Sequence, residues 1–154
     1  MKNYIMFNGH KFETDDSLSP TTNFTQTEGQ IYYYISGGGD IFSDVDSNTD
    51  ASRTLYKVAN YCTNKSLLEQ RALHETLNRL LWRFNEMHGG DVQWDGDKEH
   101  FYIVYNKINN EYFVNYLIYE KTQGVIYFPS LKLAQEAIET VVKPFVAKHP
   151  DFVW

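Results

Sequence analysis

Cysteine is almost missing from this sequence. Cys62 is the only one in 154 residues, so no disulfide can close within the chain and nothing in it calls for an oxidising compartment. No stretch approaches the roughly 18 uninterrupted apolar residues of a membrane-spanning helix. The apolar start Tyr4-Ile5-Met6-Phe7 is too short for a secretory core and runs into Asn8-Gly9-His10 rather than a small-residue cleavage site. Cations are also scarce: 14 Lys and Arg stand against 20 Asp and Glu, a net charge of −6. That balance disfavours nucleic acid and anionic membranes as partners, since both draw a basic footprint. The expected location is the cytoplasm, with the sequons Asn23-Phe24-Thr25 and Asn64-Lys65-Ser66 accidental.

Motifs of catalysis and cofactor binding are missing as well. Gly37-Gly38-Gly39 has no GK[ST] after it, and no G-x-G-x-x-G is present. His10, His74, His88, His100 and His149 show no HExxH spacing and no companion cysteines, so no zinc site is expected. There is no G-x-S-x-G and no nucleophile–base set. Asp44, Asp46, Asn48 and Asp50 sit at alternate positions like the start of an EF-hand loop. Thr49 stands where that loop needs glycine, however, and Leu55 where it needs a bidentate Glu. The segment reads as a solvated acidic turn. No catalytic residue, metal or cofactor is expected.

Aromatic residues are plentiful: 16% of the chain, with 12 Tyr, 10 Phe and 3 Trp. Such a composition is the opposite of a disordered one. The length suits one ordinary domain that needs no staple to fold. Residues 1–30 read as an N-terminal strand or arm and a polar loop. The stretch from residue 13 to 30 is either flexible or ordered against a partner. Residues 31–154 read as a single compact α+β domain with two similar halves, 31–90 and 100–154. In the first half, Ile31–Ile35 and Ile41–Val45 form a hairpin around Ser36-Gly37-Gly38-Gly39-Asp40, and Leu55–Cys62 forms a third strand. Asn64 caps a helix with Leu68, Ala72, Leu73, Leu77, Leu80, Leu81, Phe84 and Met87 on one face; Glu75 and Arg79 form an i,i+4 pair, and Gly89-Gly90 ends the helix. In the second half, a loop at 91–100 precedes strands at 101–105, 112–119 and 124–128. Ser130 then caps a helix that ends or kinks at Lys143, before Pro144. The fold class is therefore antiparallel β-meanders each followed by a helix. The junctions Tyr61-Cys62-Thr63-Asn64 and Tyr127-Phe128-Pro129-Ser130 can be laid side by side as a duplicated unit, or as two strands that each happen to enter a helix.

Tyrosines on strands fall on both faces of a sheet, and two helices cannot cover them all. The remainder fits a binding face as well as a core. The segment Tyr32-Tyr33-Tyr34-Ile35, Gly39-Asp40, Asp50-Ala51-Ser52-Arg53, Tyr56 and Ala59-Asn60 follows a pattern of aromatic strand, Gly/Asp turn and acidic loop closing on D-x-x-R-x-x-x-G-N. Here there are departures: two residues separate Arg53 from Tyr56, Ala59 replaces the glycine with five residues between it and Arg53 instead of three, and the pattern's acidic helix opening is absent from the first half. Tyr127-Phe128-Pro129-Ser130 and Ala134-Gln135-Glu136-Ala137-Ile138 match in the second half. In these features the chain resembles small accessory proteins of bacteriophages and prophages.

That resemblance implies a non-catalytic, anti-CRISPR-type inhibitor that binds and blocks a host immunity protein, a CRISPR nuclease or another defence effector, in the cytoplasm of an infected or lysogenic bacterial host. An alternative is a sponge for a nucleotide immune signal, with Arg53, Arg79 or Arg83 on phosphate and a tyrosine or Trp94 on the base; a homo-oligomer would pool the few arginines. A metal-dependent enzyme stands last. The residues singled out for binding are Asp50, Arg53, Tyr56, Asn60, Tyr32, Tyr34 and Trp94. The competing reading of four of them is structural: Asp50 pairs with Arg53, and Asn60 satisfies a turn.

Overall fold

The computed structural model describes residues 3–7, 10–14, 23–90, 94 and 97–154, the first two segments as backbone. Part of the expected N-terminal arm and half of the loop expected at 91–100 lie outside the described residues. The fold is α+β. Strands β1 (Asn3–Phe7) and β2 (His10–Thr14) pair antiparallel, with Asn3 opposite Thr14. Strands β3 (Ile31–Ile35) and β4 (Ile41–Val45) form a second two-stranded sheet, and β5 (His100–Asn106) and β6 (Glu111–Leu117) a third. The chain divides into two compact units, Met1–Ile35 with Phe42–Leu68, and Ser36–Ile41 with Glu69–Trp154.

In the first unit, the β-branched and aromatic run Ile31–Ile35 becomes β3 as its composition dictates. The Ser36 hydroxyl accepts from the Gly38 and Asp40 amides at 3.2 and 3.1 Å, and Gly39 takes φ 96°, a conformation that favours glycine. The third strand expected at Leu55–Cys62 does not form: Leu55–Lys57 end a helix, and the rest is turn and irregular chain up to a bridge at Cys62. Helix α1 spans Asp50–Lys57, capped by Thr49, whose side chain accepts from the Ser52 amide. Asp50 in its first turn and Lys57 in its last both suit the helix dipole. It ends in a Schellman motif: the Asn60 amide bonds Leu55 O at 2.8 Å and the Ala59 amide bonds Tyr56 O at 3.0 Å. Ala59 holds φ 55° there, the left-handed conformation that costs a residue with a Cβ roughly 1–2 kcal/mol. Only one residue remains of the third strand: Cys62 bridges Tyr33 in both directions at 2.7 and 3.0 Å. The expected arm is tied down over its described part. Asn23 O accepts from the Thr63 amide at 2.8 Å, and the Gly29 amide donates to Asp46 O at 2.7 Å.

Helix α2 (Lys65–Met87) begins where Asn64 accepts the Leu67 amide at 3.1 Å. Its end also follows a Schellman path, with Gly90 N on Asn85 O at 2.9 Å and both glycines at positive φ. Leu68, Ala72, Leu77 and Leu81 are buried as the spacing predicts, while Met87, expected on the same face, is 74% exposed. The expected Glu75–Arg79 pair does not form. Glu75 takes Arg71 Nε at 2.7 Å, and Arg79 turns to the carbonyls of Glu75 and Gly37.

The second unit holds the apolar core, built from Leu77, Leu81, Phe128, Ala134, Val142 and Phe145 with Leu133 and Ala137. From the β5–β6 hairpin, Phe101, Ile103, Tyr112 and Val114 pack against it, alternate residues as a pleated pair requires. The strand expected at 124–128 reduces to one bridge, Phe101 with Phe128. Just before it, the Tyr127 carbonyl is taken by the Asn85 side chain of α2 at 3.0 Å instead of by a strand. Ser130 caps α3 (Leu131–Ala137), accepting the Leu133 amide at 3.2 Å. The helix then neither stops nor breaks at Lys143. It widens into a π-helical turn over Ile138–Val142 and continues as α4 (Lys143–Lys148). The Lys143 amide reaches back five residues to Ile138 O, so the wide turn accommodates Pro144, which has no amide hydrogen to offer.

Candidate functional site

The first unit is organised around a buried carboxylate. Asp46 lies in the segment expected to be a solvated acidic turn, yet it is only 1% exposed. The correction has a simple cause: every part of the residue has a protein partner. Its Oδ1 accepts the Asn48 amide at 2.8 Å and Gln26 Nε2 at 3.4 Å, and its Oδ2 accepts the Tyr61 hydroxyl at 3.1 Å. Its backbone amide donates to Gln30 O at 2.9 Å. Burial alone would raise the carboxyl's pKa. Hydrogen bonding from the Asn48 backbone, Ser52, Tyr61 and Gln26 outweighs it and holds the group below the usual aspartate value. The Tyr61 hydroxyl is pushed up, by burial first and by its bond to Asp46 second. The loop's other acids stay outside: Asp44 accepts from the Val45 amide, and Asp50 is exposed. No group of three or more His, Cys, Asp or Glu suited to a metal occurs among the described residues.

The residues singled out from the sequence fall around this hub with differing roles. Asp50 and Arg53 pair at 3.2 Å on the exposed face of α1. Asn60 does more than satisfy a turn: its amide accepts from Ile35 N and donates to Ile35 O, both at 2.8 Å, copying a strand partner. Tyr32, expected on a binding face, is 2% exposed, and its ring stacks on Tyr61 at 4.5 Å. Burial, with the charges of Asp44, Tyr34 and Asp46 behind it, raises the Tyr32 hydroxyl's pKa. Tyr56 meets Tyr61 edge-on at 5.8 Å and is exposed on its other side. Tyr34 is half-buried against Phe42, with the rings 5.9 Å apart. Trp94 belongs to the second unit, where it lies flat on His100 at 3.7 Å and edge-on to Tyr127.

Among the described residues, β4 has no strand partner on its outer edge. Tyr33 turns its backbone groups to Cys62, so β3 is occupied on both edges, while β4 has β3 as its sheet neighbour. Phe42 and Val45 are 50% and 52% exposed, with Ser43 and Asp44 exposed between them. Sequence reasoning placed this strand correctly; what remains of the expected third strand, Cys62, pairs with β3 rather than with β4. In the second unit, a cleft of about 400 Å³ is lined by His74, Asn78, Tyr102, Tyr105, Phe152 and Trp154 among others. Elsewhere in that unit, outside the lining of this cleft, Asn85 Oδ1 and His100 Nε2 are buried with no hydrogen-bond partner among the described residues. No described helix is long and apolar enough to cross a membrane. No family model, curated protein or solved structure matches the chain.

Proposed function

We propose that this chain is a non-catalytic binding protein of phage or prophage origin that blocks a protein of host defence. The observation that carries the reading is the outer edge of β4, which has no strand partner among the described residues. A strand with one unpaired edge is a template for another strand, and exposed Phe42 and Val45 add apolar anchors beside it. Asp44 keeps the edge from pairing indiscriminately, since its carboxylate occupies the Val45 amide at 2.7 Å. Net charge −6 favours a basic partner, such as the nucleic-acid channel of a nuclease. The origin rests on the resemblance of the aromatic-strand and acidic-loop pattern alone.

The test is co-purification from bacteria carrying defined defence systems, together with phage plating on the same strains. A defence component should co-purify with the wild-type chain, and phage should plate better where it is expressed. Phe42→Lys should lose both effects while keeping its circular dichroism. Unchanged plating and no captured component across the strains would sink the proposal.

A further inference from the structure

The second unit carries a groove whose chemistry is unlike the rest of this acidic chain. It lies between α2 and the π-turn with α4, has a volume of about 440 Å³, and is floored by Leu80, Phe84, Val141 and Phe145. Arg83, Lys148, His88 and His149 line it, and none of its lining residues is Asp or Glu. Neither Arg83 nor Lys148 has a carboxylate partner among the described residues; nearby Glu139 is taken by Lys143. The histidines are fixed rather than loose. His88 Nδ1 bonds the Phe84 carbonyl at 2.7 Å, so Nδ1 carries the hydrogen and Nε2 is left free, and its ring packs on Phe84 at 4.3 Å. His149 packs on Phe145 at 4.5 Å.

The walls are held independently of any ligand. Gln70, near the start of α2, donates to Asp151 O at 2.7 Å and accepts the Val153 amide at 3.0 Å. The segment after α4 therefore returns to the first turns of α2, and the two helices run antiparallel. The π-turn supplies Thr140 and Val141 to the groove. Such turns recur at functional sites, where the extra residue redirects side chains.

From the apolar floor, the unpaired cations and the absence of lining carboxylates, we infer that this groove binds a small amphipathic anion, with its apolar body on Leu80, Phe84, Val141 and Phe145 and its anionic head on Arg83 and Lys148. The volume suits a ligand of small-molecule size. A carboxylate and a phosphate head share this chemistry, since Arg and Lys bind either. The site is in the second unit and does not depend on the β4 edge.

The experiment is calorimetric titration of the full chain with decanoate and with decyl phosphate, each below its micelle-forming concentration, alongside decyltrimethylammonium and inorganic phosphate. Saturable binding of at least one decyl anion is expected, and which of the two binds tighter identifies the head group. The decyl cation should not bind. The double variant Arg83→Gln, Lys148→Gln, exposed at both positions, should keep its circular dichroism and bind about tenfold or more weakly. Phe42→Lys should bind as the wild type does, which separates this site from the partner surface. Equal binding of the decyl cation, unchanged affinity in the double variant, or no saturation by either anion would overturn the inference. So would self-association of the chain that decanoate disperses, because a second copy would then be the occupant.

Discussion

Cys62 and Phe128 stand at matching points of the two units. Each makes a single bridge to a hairpin strand, to Tyr33 and to Phe101 respectively, and each follows a buried tyrosine. Two residues on, Asn64 and Ser130 cap the helices, with cap bonds of 3.1 and 3.2 Å. Behind these like junctions the interiors differ. The second unit is filled by aliphatic and aromatic side chains around Phe128. The first holds an ionised Asp46 with Ser52, Tyr61 and Tyr32 around it. An apolar interior spreads its stability over many small contacts. A polar one concentrates it in a few hydrogen bonds, each costly to leave unmade. The same local frame therefore gives one unit that responds to lost volume and another that responds to lost charge.

The comparison can be broken most strongly at Phe128. Phe128→Ala should cost about 3–5 kcal/mol in urea denaturation, as a large void in a close-packed core does, whereas Cys62→Ala at the matching point should cost only about 1 kcal/mol. Next comes Asp46→Ala, which removes the acceptor for the Tyr61 hydroxyl and the Asn48 amide and should cost about 2–3 kcal/mol. Its pH signature distinguishes it from a volume effect. Because the folded-state pKa of Asp46 lies below the usual 3.8, its stabilisation is complete above that value and fades as pH falls through the depressed one. Asp46→Asn should flatten that acid limb, and Phe128→Ala should leave its shape intact. At the alkaline end the sign reverses. Tyr61 and Tyr32 are raised, so their contribution is present below 10.0 and is lost as pH climbs through the folded values.

Smaller effects sharpen the contrast. Asn60→Ala removes two bonds to Ile35 and should cost about 1–2 kcal/mol. Ala59→Gly should stabilise by about 0.5–1 kcal/mol, since relief of the left-handed strain exceeds glycine's extra chain entropy; thermal denaturation would show the gain. Arg53→Gln should move stability by no more than about 0.5 kcal/mol, because its partner Asp50 is an exposed neighbour on the same helix.

Strands β3 and β4 were legible residue for residue, because aromatic and β-branched runs flanked a glycine turn whose chemistry is local. Both helix caps were legible for the same reason. The stretch from Leu55 to Cys62 misled because Tyr56, Val58 and Tyr61 are strand-favouring residues, while Thr49 and Asp50, which start a helix, look like members of an acidic loop. Asp46 was hidden by the same loop. Its burial depends on Gln26 and Tyr61, 20 and 15 residues away, and no local pattern announces such partners. The third strand of the second unit failed for a related reason: Asn85, on a helix 42 residues earlier, takes the place of a neighbouring strand. Of the residues singled out for binding, those defined by local pairing, Asp50 and Arg53, stand where the spacing put them. Tyr32 went to the interior because alternation assigns a face without saying which face is covered.

The widened turn at Ile138–Val142 has a meaning for descent as well as for packing. A π turn is an α-helix holding one residue too many, so the side chains after it keep the bearings they would have had without the insertion, about 100° per residue being absorbed in one loop of the coil. Phe145 thereby stays on the core and Pro144 is spared a collision with the carbonyl four residues back. Surplus residue and proline thus form a matched pair. A sequence akin to this one that lacks the proline is free to lack one residue of that turn as well, and an alignment ought to open its gap there rather than at the helix ends.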